Sequence, residues 1–278
     1  MSGISPQNAL TISSFISSYK NLDEAEKKFF SPKIKELFNA KIQFKSTKTL
    51  DMIALEVIKE LLDTPPLLKF PCTSKFIESD LFQCCKLLKE NQLFTDENAL
   101  AILSHPTPKL LFAALCTLQT HELLTSAEKQ EYFTAVTKHL TAPHQAANAL
   151  AILNKAGLLN AENMAVTTHP VNPAATAKFL TLIFQLGLLS GEHAENNFEK
   201  VINHRRPASV LLDIELLDPA DEKLQDKFER IMRPHSYTPT PLLLKVLAGD
   251  IAAIEINIPF SPTQPPKGVV ASMIPGAY

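Results

Sequence analysis

Six prolines recur at nearly even intervals through most of the chain, and this spacing limits the possible folds more than any other feature. They are Pro71, Pro108, Pro143, Pro173, Pro207 and Pro241, with separations of 37, 35, 30, 34 and 34 residues. Most of them begin an apolar run with helical spacing. Proline is favoured at the first position of a helix, where its missing N–H removes no hydrogen bond. Each proline is therefore predicted to begin a helix, called helix A of its unit.

A second series lies between these prolines and predicts a second helix, helix B, in each unit. Five apolar pairs are each followed by a residue type that commonly caps helix N-termini: Thr95, Thr125, Asn160, Ser190 and Asp218. Thr125 has Glu128 three residues later, which is the pattern of a capping box. Gly157 and Gly187 stand where helix A is expected to end in a left-handed conformation.

A histidine stands near the end of each of four units, and this third series completes the prediction of a repeat. His105, His139, His169 and His204 each stand three or four residues before the next proline. Because the proline, capping-residue and histidine series keep one register, they predict a tandem repeat of helix pairs. The length of the repeat is typical of solenoids. The units cover residues 71–107, 108–142, 143–172, 173–206 and 207–240. The fold is thus predicted to be all-α, a right-handed α-solenoid of about five helix-turn-helix repeats.

The two ends of the chain differ from the repeats over 71–240. Residues 1–70 are less regular and are predicted to form a helical N-terminal cap subdomain, whose best-patterned helix covers 47–63. Residues 241–258 are predicted to form a C-terminal capping helix. Residues 259–278 hold five prolines and are predicted to form a Pro-rich extended tail.

Composition excludes several classes of protein. The net charge of −2 and the pI near 6.5 give no general attraction to polyanions, so nucleic-acid binding is disfavoured. The longest apolar stretch is too short to span a membrane, and the start of the chain lacks the pattern of a Sec signal. The four cysteines include the adjacent Cys84 and Cys85, and their spacing fits neither a metal site nor a disulfide framework. They are predicted to be buried thiols.

Catalytic motifs are not evident, but four arginines are grouped. The chain has no metalloprotease, Walker or paired-cysteine motif, and no cofactor is expected. Its arginines all lie within thirty residues of one another: Arg205, Arg206, Arg230 and Arg233. The repeat register places them at the ends of helix B in successive units, so they are predicted to form one basic, partner-binding edge with His204. The alternative is solvated charge that complements helix dipoles. The remaining histidines are interpreted as structural.

The unit seen best as AILNKAGLLNAENMAVTTHPVNP, at residues 151–173, resembles the degenerate helical repeats of Legionella-type effector proteins. Residues 85–108 and 179–207 match the pattern more loosely, and in length the units are similar to tetratricopeptide repeats. The resemblance implies a protein of the bacterial cytoplasm that a type IV secretion system translocates into the host cytosol. It also implies a metaeffector, which is an effector that binds and restrains a fellow effector.

The first functional hypothesis is therefore a non-enzymatic scaffold or regulator. Its partner would be another protein, either a fellow bacterial effector or a host protein, because helical-repeat arrays present long binding surfaces. A second hypothesis is an enzyme with an unrecognised active site in the N-terminal subdomain. A third is an RNA-binding helical repeat, which the net charge and the uneven unit lengths disfavour.

Overall fold

The computed structural model describes residues 4–32, 35–36, 47–64, 71–169 and 172–233, and the regular elements within these ranges are helices. The N-terminal region contributes α1 (Pro6–Lys20), α2 (Glu24–Lys27), α3 (Thr47–Asp63) and α4 (Pro71–Ile77). The predicted helix over 47–63 is confirmed. The predicted capping helix at 241–258 and tail at 259–278 lie outside the described residues. The chain divides into two compact units, Met1–Met232 and Arg233–Tyr278.

The repeat region continues the helical pattern. Its first helices are α5 (Asp80–Glu90), α6 (Asp96–Ser104), α7 (Pro108–Thr120), α8 (Lys129–Lys138) and α9 (Pro143–Lys155). A 3₁₀ helix (Asn163–Thr168) follows, and then α10 (Pro173–Gln185), α11 (Ala194–Ile202), α12 (Pro207–Glu215) and α13 (Leu224–Ile231). The fold class, all-α, is as predicted.

The prolines begin helices as their spacing predicts. Pro108, Pro143, Pro173 and Pro207 each occupy the start of a helix and are themselves buried. Pro71 also begins a helix, but that helix ends at Ile77. The Ser79 hydroxyl then accepts a hydrogen bond from the Phe82 N–H and caps α5, so α5 takes the place of helix A in the first unit. Pro241 lies outside the described residues.

The predicted starts of helix B are correct only in the first unit. Thr95 caps α6 by accepting the Asn98 N–H, whereas α8, α11 and α13 begin several residues after their apolar pairs. The capping box of Thr125 is wrong. The hydroxyl of Thr125 donates to the carbonyl of Glu122, and the hydroxyl of Ser190 donates to that of Gly187. A hydroxyl can bond to a carbonyl of the preceding turn instead of capping the next helix, and these two do so. In the third unit helix B is the 3₁₀ helix, with Asn160 accepting the Asn163 N–H.

Four helices of the A series end in the same left-handed turn. Gly157 and Gly187 have φ of 69° and 76°, as predicted, and Gln92 and Glu122 take the same conformation with φ of 57° and 61°. After each, a leucine N–H donates to a carbonyl five residues back: Leu93 to Leu88, Leu123 to Leu118, Leu158 to Leu153 and Leu188 to Ile183, at 2.8–2.9 Å. The apolar pairs thus fold back onto the helices that they follow.

Glycine at the two non-glycine turns is expected to stabilise the protein. Left-handed backbone strains an L-residue with a side chain, so Gln92→Gly and Glu122→Gly should each raise the free energy of unfolding by about 0.5–1 kcal/mol. The measurement is urea unfolding followed by circular dichroism. Gln119→Gly, in the last turn of α7, is the control and should lower stability by a similar amount. Loss of stability in all three variants would contradict the account of these turns.

Helices of the A series pack against one another in chain order. α7 contacts α5 and α9, α9 contacts α10, and α10 contacts α12. One apolar core extends from Ile4 to Leu150, and a second extends from Ala149 to Phe228. Both cores include residues of α9, so this helix joins the two halves of the first compact unit.

The N-terminal helices cover one end of α6. The Asn8 side chain donates to the carbonyls of Ile102 and Leu103 at 3.1 and 2.9 Å, and the Ser5 N–H also donates to Leu103. The Leu103 carbonyl is one that the end of a helix leaves without an intrahelical partner, and the Ile102 carbonyl also accepts the His105 N–H. Lys59 of α3 forms an ion pair with Asp96 at the start of α6, with 2.7 Å between Nζ and Oδ1. The described residues of 4–32 and 47–64 therefore belong to the same packed body as the repeats.

Candidate partner-binding edge

Four histidines occupy equivalent turns between helix B of one unit and helix A of the next. We call His105, His139, His169 and His204 the histidine column. Their Nδ1 atoms accept the backbone N–H groups of Thr107, Ala142, Asn172 and Arg206, at 3.2 Å in each case. Because Nδ1 is the acceptor, the ring proton resides on Nε2. The histidine column thus stabilises four equivalent turns, each through one hydrogen bond to Nδ1.

In two histidines of the column the Nε2–H reaches the next unit. His139 Nε2 lies 3.4 Å from the carbonyl oxygen of His169, and His169 Nε2 lies 3.0 Å from that of His204. His105 Nε2 is buried without a hydrogen bond of ordinary geometry, although the backbone of His139 is near enough to affect the pKa of His105. Side chains that sequence analysis interpreted as structural therefore connect consecutive units.

Burial keeps two of these rings neutral. Desolvation lowers the pKa of His105 and of His204 below the ordinary value of 6.5. The ring of His204 also meets the edge of Phe179, with 6.1 Å between the ring centroids. At neutral pH His204 consequently adds no charge to the basic edge. Its contribution is to hold the turn from which Arg205 and Arg206 project.

A second column of amide side chains joins the B helices. Asn98, Asn163 and Asn197 are buried and donate to the carbonyls of Leu93, Leu158 and Leu188 at 2.7–2.8 Å. Asn98 and Asn197 also exchange two hydrogen bonds with an amide of the following unit, Gln130 and Gln225, at 2.9–3.1 Å. We call these five residues the amide column. This column was not predicted from the sequence.

The predicted basic edge begins at the turn before α12. Arg205 and Arg206 are exposed, and Arg206 immediately precedes Pro207. The repeat register had placed both arginines at the end of helix B, but α11 ends at Ile202, so they lie in the turn. Arg230 is exposed in the last turn of α13. Three of the predicted arginines therefore lie in the first compact unit. Arg205 and Arg206 follow the end of α11, and Arg230 lies in the last turn of α13.

Arg233 is exposed as well and is the first residue of the second compact unit, Arg233–Tyr278. Within the described residues, the four arginines form no ion pair with an acidic side chain. Arginine carries five donors in a planar fork that matches a carboxylate or a phosphate. These guanidinium groups are thus available to groups outside the described part of the chain.

Lysines of the same units are used within the protein. Lys178 pairs with Glu215 at 3.2 Å, Lys200 pairs with Glu229, and Lys227 pairs with Asp221. Hydrogen bonds from the last two lysines lower the pKa of Glu229 and of Asp221. Three of the four lysines in these two units are therefore paired, whereas Lys223 and the arginines form no ion pair among the described residues.

The three cysteines whose side chains the structure describes do not offer a second site, and the side chain of Cys72 lies outside the described part of the chain. Cys84 and Cys85 are fully buried in α5, as predicted. Desolvation raises the pKa of the Cys85 thiol to about 12 and that of Cys84 well above its usual range. Cys116 is half-buried, and burial also raises its pKa. Thiolate formation, which nucleophilic chemistry requires, is suppressed at all three.

Over the described ranges, no three His, Cys, Asp or Glu side chains converge closely enough to hold a metal ion. None of the helices in those ranges combines the length and apolar composition needed to cross a membrane. Comparison of the chain with protein-family models, with curated proteins and with solved structures finds no match.

Proposed function

We propose that this protein is a non-enzymatic regulator that binds another protein through an array of helix pairs. Its units would form a right-handed solenoid of about five repeats, similar to tetratricopeptide arrays. The packing of helices of the A series in chain order supports this arrangement, as do the two columns of side chains that connect consecutive units. Such arrays bind partners along an extended surface.

The observation that carries the proposal is the difference between arginines and lysines in the last two units. Arg205, Arg206 and Arg230 are exposed without an acidic partner among the described residues, while the neighbouring Lys178 and Lys200 are paired. Exposed arginines can bind carboxylates in a bidentate geometry and accelerate association with an acidic surface. The partner is therefore proposed to present an acidic patch.

The resemblance of 151–173 to Legionella-type effector repeats suggests which proteins to test. We propose a metaeffector, a bacterial effector that restrains a fellow effector by occupying its surface, and a host protein is the other candidate partner. In either case the protein would act by binding, and the partner would supply any catalytic activity.

The experiment is comparative affinity capture from a bacterial lysate and a host-cell lysate, quantified by mass spectrometry. The baits are the wild-type protein, Arg205→Glu/Arg206→Glu, and the control Lys138→Glu/Lys155→Glu, which reverses two exposed charges elsewhere. Charge reversal at the edge should reduce recovery of the partner at least about tenfold, because a repulsive charge replaces an attractive one. The control should recover the partner as the wild type does.

Circular dichroism of the three baits confirms that each is folded. A partner found only in the bacterial lysate would identify a metaeffector, and one found only in the host lysate would identify a direct host target. Equal recovery of every captured protein by the wild type and the arginine variant would overturn the proposed edge.

A further inference from the structure

The histidine column has a property that its structural role does not require. Every ring accepts a backbone N–H at Nδ1, and His139 and His169 also donate from Nε2 to the next unit. Only the Nδ1 interaction depends on the neutral form of the ring, because the Nε2–H donor is present in the neutral and in the protonated ring alike. An imidazolium has an N–H at both nitrogens, so a protonated ring would direct a donor at the backbone donor that it now accepts.

We propose that His105 and His204 of the histidine column form an acid-sensitive latch, whose protonation releases the turns that they hold and opens the array. The same change would occur in two turns, at Thr107 and Arg206. Since each released turn weakens the joint to the next unit, and units are stabilised by their neighbours, opening is expected to be cooperative. The latch is independent of whether the arginine edge binds a protein.

Burial and the neighbouring histidine oppose protonation of His105 and of His204, although the backbone of His139 favours it at His105. His139 acts electrostatically on His105, and His169 acts on His204, so a charge on one ring disfavours a charge on the next. Arg205 and Arg206 follow His204 directly in the chain and are positive. Among the groups that affect the pKa of His105 or of His204, no carboxylate of the described residues offers compensation.

The direction of the pH dependence follows from these surroundings. The pKa of His105 and of His204 is lower in the folded protein than the ordinary 6.5, so the unfolded chain binds protons more readily. Their contribution to stability is complete above pH 6.5 and is lost progressively as the pH falls from there through the lowered pKa values. Acidification is therefore expected to destabilise the array in the range of pH in which histidines titrate.

The first test uses the wild-type chain and nuclear magnetic resonance of ¹⁵N-labelled histidine. At pH 7.5 the rings of His105 and His204 should be neutral with the proton on Nε2. As the pH is lowered, the amides of Thr107 and Arg206 should lose protection from hydrogen exchange, after correction for the intrinsic rate. Rings that protonate with ordinary or raised pKa values while these amides stay protected would overturn the proposal.

The second test compares the pH dependence of urea unfolding in variants. In His105→Asn/His204→Asn the amide oxygen can still accept the turn N–H, but the side chain cannot titrate. The slope of unfolding free energy against pH, between about 5.5 and 7, should be at least about twofold smaller than in the wild type. The control His121→Asn/His193→Asn changes exposed histidines and should keep the wild-type slope. Equal slopes in all three proteins would contradict the latch.

Discussion

Replacing Phe179 with alanine is expected to lower the free energy of unfolding by about 3–5 kcal/mol. Phe179 is fully buried in α10, and its ring lies 6.5 Å from that of Phe228 in α13 and 6.1 Å from that of His204. One side chain thus joins helix A of the fourth unit to the following turn and to helix B of the fifth. Truncation would leave a cavity where these elements meet.

The measurement is urea unfolding followed by circular dichroism, with Phe184→Ala as the matched control. Phe184 is in the same helix but is 49% exposed, so its truncation should change stability by less than about 0.5–1 kcal/mol. Similar losses from the two substitutions would show that the packing of α10 against α12 and α13 is not as described.

Asn197→Ala is the second substitution with a large expected effect, about 2–4 kcal/mol. The Asn197 amide is buried, donates to the Leu188 carbonyl at 2.8 Å, and exchanges two hydrogen bonds with Gln225 of the next unit. Its removal leaves the Leu188 carbonyl and the Gln225 amide without these partners. Asn196→Ala, at the exposed neighbouring position, is the control and should be nearly neutral.

A double-mutant cycle isolates the part of this effect that connects the units. Asn197→Ala, Gln225→Ala and the double variant should give a coupling energy of about 1–3 kcal/mol, because the two side chains share two hydrogen bonds. Additive losses would show that the amide column contributes within each unit and not between units.

Helix starts in the A series could be predicted from the sequence because proline restricts the backbone locally. Pro108, Pro143, Pro173 and Pro207 need no tertiary information to favour a first helical position. The starts of helix B could not be predicted as well. Thr125 and Ser190 have two local uses, capping the next helix or satisfying the preceding turn, and the packing of each unit decides between them.

Left-handed turns were predicted where glycine marks them and missed where it does not. Gln92 and Glu122 adopt positive φ because the leucine after each folds back onto its helix, a tertiary requirement that overrides the preference of the residue. A signal for the amide column was present in the sequence. Asn98, Gln130, Asn163, Asn197 and Gln225 recur at 32, 33, 34 and 28 residues, close to the spacing of the prolines.

For the candidate edge, too, one part could be predicted from the sequence and another part could not. The residue types of Arg205, Arg206 and Arg230 were enough to suggest a candidate recognition surface, because the chemistry of the guanidinium group is independent of the fold. This surface stays a prediction. The neutral state of His204 was not predictable from sequence. It arises from the burial of the ring near Phe179, which lowers its pKa.

The most direct test of the central claim, that this protein acts by binding an acidic protein surface, is a titration with the purified partner. The dissociation constant is measured for the wild type and for Arg205→Glu/Arg206→Glu at low and at high salt. The account predicts binding at least about tenfold weaker for the variant at low salt, with a smaller difference at high salt where charges are screened. Equal dissociation constants for the two proteins at low salt would contradict it.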